Sequence, residues 1–235
     1  GAKAWHALGG WANPSRKIGG RRMLAPDSKP PQMEDAEIVD EAILSRRSVR
    51  AFLPDPVDDD TIREILAIAS RAPSGANMQP WRVYVATGAS KERLSQAVMA
   101  SETRTYRWGE YKYYPDKFFE PYQGRRRELG YALYEHIGIA KREIDRMRVQ
   151  HDRNFVFFDA PVGMIFTVDR RLNQGSWIDL GMFLQTFMLL CTERGIDTCP
   201  QEAWAVWSDA VAEFVGAPDD EMLFCGVAIG HADPE

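Results

Sequence analysis

The sequence predicts an α+β or three-layer α/β protein: a single domain over 34–235 behind a flexible N-terminal arm at 1–33. Three features point there. Two amphipathic helical patterns precede the first strong strand, strands and helices then alternate, and WIDLGMFLQTFMLLCTERG at 177–195 is apolar on nearly every side. A chain of 235 residues with 45% hydrophobic content can bury a sizeable core.

Taken in order, 1–33 is rich in Gly, Pro, Ala and basic residues without sustained periodicity, hence the arm. Ile38, Val39, Ala42 and Ile43 then recur at helical spacing, with acidic residues crowding the first turn, so a helix is expected to end just before Ser48. VDDDTIREILAIASRAPS predicts a second helix with Asp58 or Asp59 as N-cap, Ile62, Ile65, Leu66 and Ala69 facing inward, and Pro73 as its stop. WRVYVATG at 81–88 reads as a strand and SKERLSQAVMA at 90–100 as a helix capped by Ser90. After an aromatic and basic stretch at 104–127, one long helix is expected around 128–149. PVGMIFTVD at 161–169 has the continuous apolar character of a strand covered on both faces. The apolar helix at 177–195 should be central and end at Gly195. A short strand at 196–199, a helix at 207–215 and the strand MLFCGVAIG at 222–230 complete the chain.

Several function classes are disfavoured. A net charge of −5 and a pI near 5.5 do not suit a protein built to grip nucleic acid. Cys191, Cys199 and Cys225 form no CxxC pair and lie in apolar surroundings, so buried reduced thiols in a reducing cytoplasm are expected. The apolar run at 181–191 falls short of the roughly 20 residues of a membrane span, and the N-terminus shows no signal-peptide core. His6, His136, His151 and His231 are scattered, so no metal site is expected. Ser74 is not in a GxSxG elbow, and neither a Walker A loop nor GxGxxG is present.

Two clusters remain. RRSVRAFLP at 46–54 sets Arg46, Arg47 and Arg50 around Ser48. These cations either end the first helix, where they complement its carbonyls, or converge on a phosphate. APSGANMQPW at 72–81 is either a plain helix-to-strand connector or a wall of backbone amides, a hydroxyl and side-chain amides suited to a polar heterocycle.

Taken together, RRSVRAFLPDPV, the helix after it and APSGANMQPWRVYV closely resemble the opening of the FMN-dependent nitroreductase family, in its nitroaromatic or nitrobenzoate reductase-like branch. TCPQEAWA at 198–205 matches the place of that family's flavin-edge loop, and the resemblance runs from about 38 to 232. It implies a three-layer α/β/α homodimer with a central, mostly antiparallel sheet and FMN at the subunit interface. By matching positions, Arg46, Ser48 and Arg50 would hold the FMN phosphate and ribityl chain, with backbone contact from Arg47. Pro73, Ser74, Gly75 and Asn77 would reach the flavin from the other subunit, with Gln79 nearby. Pro200, Gln201, Glu202 and Ala203 would line the redox edge of the ring.

The implied activity is ping-pong transfer of two electrons from NADPH or NADH through FMN to a nitroaromatic or quinone-like acceptor, taking nitro to nitroso and hydroxylamine. No catalytic side chain is required, since flavin N5 carries the chemistry. The stretch at about 102–128 is either an insertion packed on protein or a lid, in which Tyr106, Trp108, Tyr111, Tyr113, Tyr114, Phe118 and Phe119 stack planar acceptors. Arg104, Arg107 or Lys112 would then attract a carboxylate, nitro group or NADPH phosphate. The family's basic C-terminal tail has no counterpart before HADPE, so Arg46 and Arg50 are expected to hold phosphate with less help.

Two alternatives stay open. One is a reductive dehalogenase of the iodotyrosine deiodinase type, although Glu110 and Tyr114 lack a matching Lys and position 135 is Glu135. The other is a non-catalytic or flavin-consuming flavin-binding protein.

Overall fold

A computed structural model describes residues 5–7, 33–101 and 110–234, with backbone alone at 5–7 and 33–37. Its sheet contains β1 (Trp5–Ala7), β2 (Arg82–Thr87), β3 (Val162–Asp169), β4 (Asp197–Gln201) and β5 (Glu221–Gly230). The order is β1-β2-β3-β5-β4, and every neighbouring pair is antiparallel. The edge strand β1 lies within the stretch the sequence assigns to an arm.

Helices cover both faces, giving the expected three-layer α/β/α arrangement. On one side α2 (Asp59–Ala69) and α6 (Gln174–Glu193) pack on Val83, Val85, Val162, Met164, Phe166 and Val168, and α1 (Met33–Ser45) lies along α6. On the other, α3 (Gly88–Ala100) and α7 (Ser208–Val215) pack with Tyr84, Ala86, Ile165 and Ala228. Alternate residues of β2 and β3 thus enter opposite cores, which is why β3 reads as continuously apolar. A bulge adjusts the partner strand: Phe166 pairs with Cys225 but Thr167 with Leu223, leaving Phe224 as the extra residue. Its consequence is a change of parity, so Met222 and Cys225 reach the same core although they lie an odd number of residues apart.

The buried charge at the end of the sheet is fully engaged. Glu221 is 2% exposed and accepts hydrogen bonds from Arg82 at 2.6 Å, Tyr84 at 2.9 Å and the Thr167 hydroxyl. Those donors offset the desolvation of the carboxylate.

Several expected elements appear with little change. Asp58 caps α2, accepting from the Thr61 N–H at 2.9 Å. Past α6, Gly195 adopts φ +68°, and the amides of Gly195 and Ile196 bond the Thr192 and Cys191 carbonyls at 3.0 Å each. Other expectations need correction. Ser90 is not the cap of α3: the helix starts at Gly88 after extended Thr87, and Ser90 is buried in its first turn. The long helix around 128–149 is two, α4 (Tyr122–His136) and α5 (Ile144–Asp152), broken where Gly138 and Arg142 take φ +66° and +76°. Nor is α6 buried all round within one chain, since Ile178, Gly181 and Gln185 face outward. In α1, Ala42 is buried while Ile38, Val39, Ile43 and Leu44 are exposed. Among the described residues, no helix is long and apolar enough to cross a membrane.

The tightest contact in the second core is between Trp204 and Gly226, where an added Cβ would meet the indole at 2.4 Å. We predict that Gly226→Ala lowers unfolding free energy by about 1–3 kcal/mol. Urea denaturation followed by tryptophan fluorescence measures it, and an unchanged midpoint would contradict the close approach.

Candidate functional site

Beyond α1 the arginine segment turns out of the helix and runs beside β4. Ser48 pairs with Thr198 in a parallel bridge, and the Val49 N–H donates to the Thr198 carbonyl at 3.1 Å. Leu53 then bonds His231 at 2.9 Å, and Asp233 bonds Ala51 at 3.0 Å. The Arg46 N–H still bonds the Ala42 carbonyl at 3.2 Å, so Arg46 closes the helix and Ser48 and Arg50 lie just beyond it. The charges of Arg50 and Arg46 both reach the Cys199 thiol, although burial dominates there and pushes it up to about 11. Arg46, Arg47 and Arg50 have no carboxylate partner among the described residues; Arg50 donates only to the Ser48 carbonyl, at 3.2 Å.

Residues 198–203 thus lie beside the first motif. Gln201 is 2% exposed, and its amide nitrogen donates to the Asn154 carbonyl at 2.8 Å and side-chain oxygen at 3.2 Å. Its side chain therefore anchors the loop, leaving exposed Pro200 and partly buried Glu202 and Ala203 at the rim. Burial holds the Glu202 carboxyl above the usual carboxylate range. Two buried atoms in this strand, Thr198 Oγ1 and Gln201 Oε1, have no hydrogen-bond partner among the described residues. Asn154 was missed by sequence reasoning because nothing local marks a residue whose partner lies 47 positions away.

The loop 73–79 occupies another place. Its Gly75 N–H donates to buried Asp179 of α6 at 3.1 Å, Ser74 Oγ accepts from the Gln79 N–H at 3.0 Å, and Gln79 donates to Asn77 at 2.9 Å. Ala76, Asn77 and Gln79 take φ +50°, +57° and +47°. Such left-handed residues cost roughly 1–2 kcal/mol each, so the bonds made by Asp179, Ser74 and Asn77 are what hold the shape. These bonds tie the loop to α6 and to itself, and none joins it to the arginine segment. Pro73 stands exposed at its start.

Within the aromatic stretch, Arg104, Tyr106, Arg107 and Trp108 lie outside the described residues. Tyr111 is packed on protein: its hydroxyl donates to the Phe224 carbonyl at 2.5 Å, and its ring contacts Phe224 and Trp177 at 5.3 and 5.5 Å. Glu110 pairs with Arg170, and Lys112 with Asp116 at 2.8 Å. Tyr114 leans on Phe118 at 5.2 Å, and the Arg126 guanidinium lies over Phe118 at 4.6 Å. Burial raises the Tyr114 hydroxyl above its usual range, and the nearby charges of Tyr113 and Glu202 add to this. Beside Arg50, a cleft of about 830 Å³ opens toward α4 and α5.

Residues 43–231 match the model of the Nitroreductase family. A chloronitrobenzene nitroreductase of Comamonas testosteroni is 39% identical over 207 residues, covering 86% of this chain and 89% of its own. The structure of an FMN- and NADPH-dependent nitroreductase NfnB from Sphigopyxis sp. strain HMH superposes with TM-score 0.79 and 41% identity, covering 83% and 88% of the two chains. The FMN-dependent nitroreductase NfnB from Mycobacterium smegmatis, in complex with NADPH, gives TM-score 0.79 at 33% identity over 84% and 89%.

The raised Glu202 carboxyl has a pH consequence. Burial favours its protonated form in the folded chain, so ionisation weakens the fold as pH rises from the ordinary carboxylate value through the higher folded-state value. We predict that Glu202→Gln makes the flavin-free protein more stable at pH 7, with the gain shrinking to nothing on acidification below the carboxylate range. Denaturant midpoints across that range measure it, and a gain independent of pH would remove the burial argument.

Proposed function

Since the chain belongs to the nitroreductase family, we propose that it is an FMN-dependent reductase of nitroaromatic or quinone-like acceptors, with NADPH as electron donor. One observation supports this most strongly: the Ser48–Thr198 bridge sets arginines with no carboxylate partner among the described residues beside the rim formed by Pro200, Glu202 and Ala203. An acidic chain that leaves these cations without carboxylates among the described residues favours an anion there, and the phosphate of FMN fits. FMN, when bound, supplies the two-electron carrier between donor and nitro group.

The residues of the chain bind and orient. Arg46, Ser48 and Arg50 hold the phosphate and ribityl chain, with Arg47 in backbone contact. Gln201, anchored on Asn154, keeps the following amides at the ring edge, where donors stabilise charge that develops on reduction. Tyr114 and Phe118 cover that edge and keep water from it. The Ser74–Gln79 loop, bonded to Asp179 of α6 and to itself, serves the site of a second subunit.

A homodimer follows from that division and from the exposed apolar positions Ile38, Val39, Ile43 and Leu44 on α1 and Ile178 on α6. Covering such surface gives about 25 cal/mol per Å². Cys191, Cys199 and Cys225 are buried free thiols, consistent with a reducing cytoplasm. Against the dehalogenase alternative, Glu110 is engaged by Arg170 and so is not available, as that lid requires, to hold an amino acid zwitterion.

The purified protein should show a bound-flavin spectrum and oxidise NADPH in the presence of nitrobenzene. Arg46→Ala and Arg50→Ala should each weaken FMN binding roughly ten- to hundredfold, as loss of a charged hydrogen bond implies, with little change for riboflavin, which lacks the phosphate. Flavin fluorescence titration separates the two ligands. A wild-type protein that takes up no FMN would sink the assignment.

A further inference from the structure

The cleft of about 830 Å³ beside Arg50 is large enough for a substantial ligand, since small-molecule sites span roughly 300–1,000 Å³. Its wall carries Arg50, Arg126, Arg127 and Lys141 against one carboxylate, Glu135, so it is strongly electropositive. Arg126, Arg127 and Lys141 have no carboxylate partner among the described residues; Arg126 lies over Phe118 instead. Tyr131 and Tyr134 stand among these cations, with Lys141 Nζ 4.5 Å from the Tyr131 ring centre. Leu133, Ile139 and Met147 add apolar surface.

This combination selects a ligand class. A bare anion has no use for two aromatic rings and an apolar wall, and a neutral aromatic has no use for four cations. An aromatic heterocycle carrying phosphate uses both, through stacking and charged hydrogen bonds. The cleft also shares Arg50 with the proposed FMN phosphate clamp, so it opens beside the phosphate end of that site.

We propose that this cleft binds the phosphoadenosine end of NADPH, with Arg126, Arg127 and Lys141 gripping the 2′-phosphate and Tyr131 and Tyr134 flanking the adenine. The assignment rests on the nitroreductase reading above. It moves donor selection from Arg104, Arg107 and Lys112 to α4 and the turn after it; Lys112 is already engaged by Asp116.

The test uses FMN-loaded protein carrying Arg126→Ala, Arg127→Ala or Lys141→Ala, with Arg93→Ala on exposed α3 surface as control. Calorimetry measures binding of 2′,5′-ADP and 5′-AMP, and steady-state kinetics give KM for NADPH and NADH. The expected result is a loss of about ten- to hundredfold in 2′,5′-ADP affinity and a parallel rise in the KM for NADPH, with much smaller changes for 5′-AMP and NADH. Arg126→Lys and Arg127→Lys should lose less than the alanine variants, because charge is kept and only the fork geometry is lost.

Unchanged 2′,5′-ADP affinity in all three variants would overturn the proposal. So would a fall in FMN affinity with NADPH preference intact, which would give the cations to the flavin phosphate. A wild-type enzyme that reduces nitrobenzene equally well with NADH and NADPH would defeat this inference and leave the nitroreductase reading standing; failure to bind FMN would defeat that reading itself.

Discussion

Much of the site depends on how closely Trp204 approaches the sheet. Its ring stacks on Phe157 with centroids 4.4 Å apart and lies so near Gly226 that only hydrogen fits between them. Phe157 in turn covers Gly163, where an added Cβ would meet it at 2.5 Å. This layer turns the chain sharply after β4 and leaves Pro200, Glu202 and Ala203 at the rim. Reaching it forces Phe157, Phe158 and Asp159 to φ +54°, +51° and +68°. That geometry costs roughly 1–2 kcal/mol per residue, and burying each phenylalanine recovers about 1.5–3 kcal/mol. The two are of the same order, so the strain persists because the core over-determines it.

Electrostatics separates structural cations from the rest. Arg82 is committed to Glu221, Arg194 to Glu64 and Glu193, and Arg171 to Asp169 and Asp220. The arginines at 46, 47, 50, 126 and 127 are not so committed among the described residues, although carboxylates outnumber cations in the chain. At an effective dielectric near 20, a unit charge 4 Å from a phosphate gains roughly 4 kcal/mol before desolvation is counted. Unpaired cations grouped on one side are therefore the feature of this fold that most needs an outside ligand.

A similar contrast holds for apolar surface. The two cores account for the inward residues of α2 and α6, yet α1 buries Ala42 and leaves four larger side chains exposed. An apolar helix flanked by another with an uncovered face is the pattern of a subunit interface, as the proposed homodimer requires. The loop at 74–79 fits the same logic: its backbone is locked against α6 by Asp179, out of bonding contact with its own arginine segment.

What the sequence determined by itself is what depends on neighbouring residues. Asp58 caps the helix that follows it, Gly195 ends α6 because a left-handed turn costs glycine little, and β3 is apolar throughout because helices cover both faces. The three motifs marked the family by their resemblance, while their spacing alone left the arginines between a helix end and an anion site. Tertiary structure decided everything that joins distant positions. It set Ser48 beside Thr198, spent Gln201 on Asn154, packed Tyr111 on Phe224 and broke the expected long helix at Gly138 and Arg142. It also brought Arg126 and Arg127 to the same cleft as Arg50. Local propensity cannot encode such meetings, because each is fixed by how two faces of one sheet are filled and not by the residues on either side.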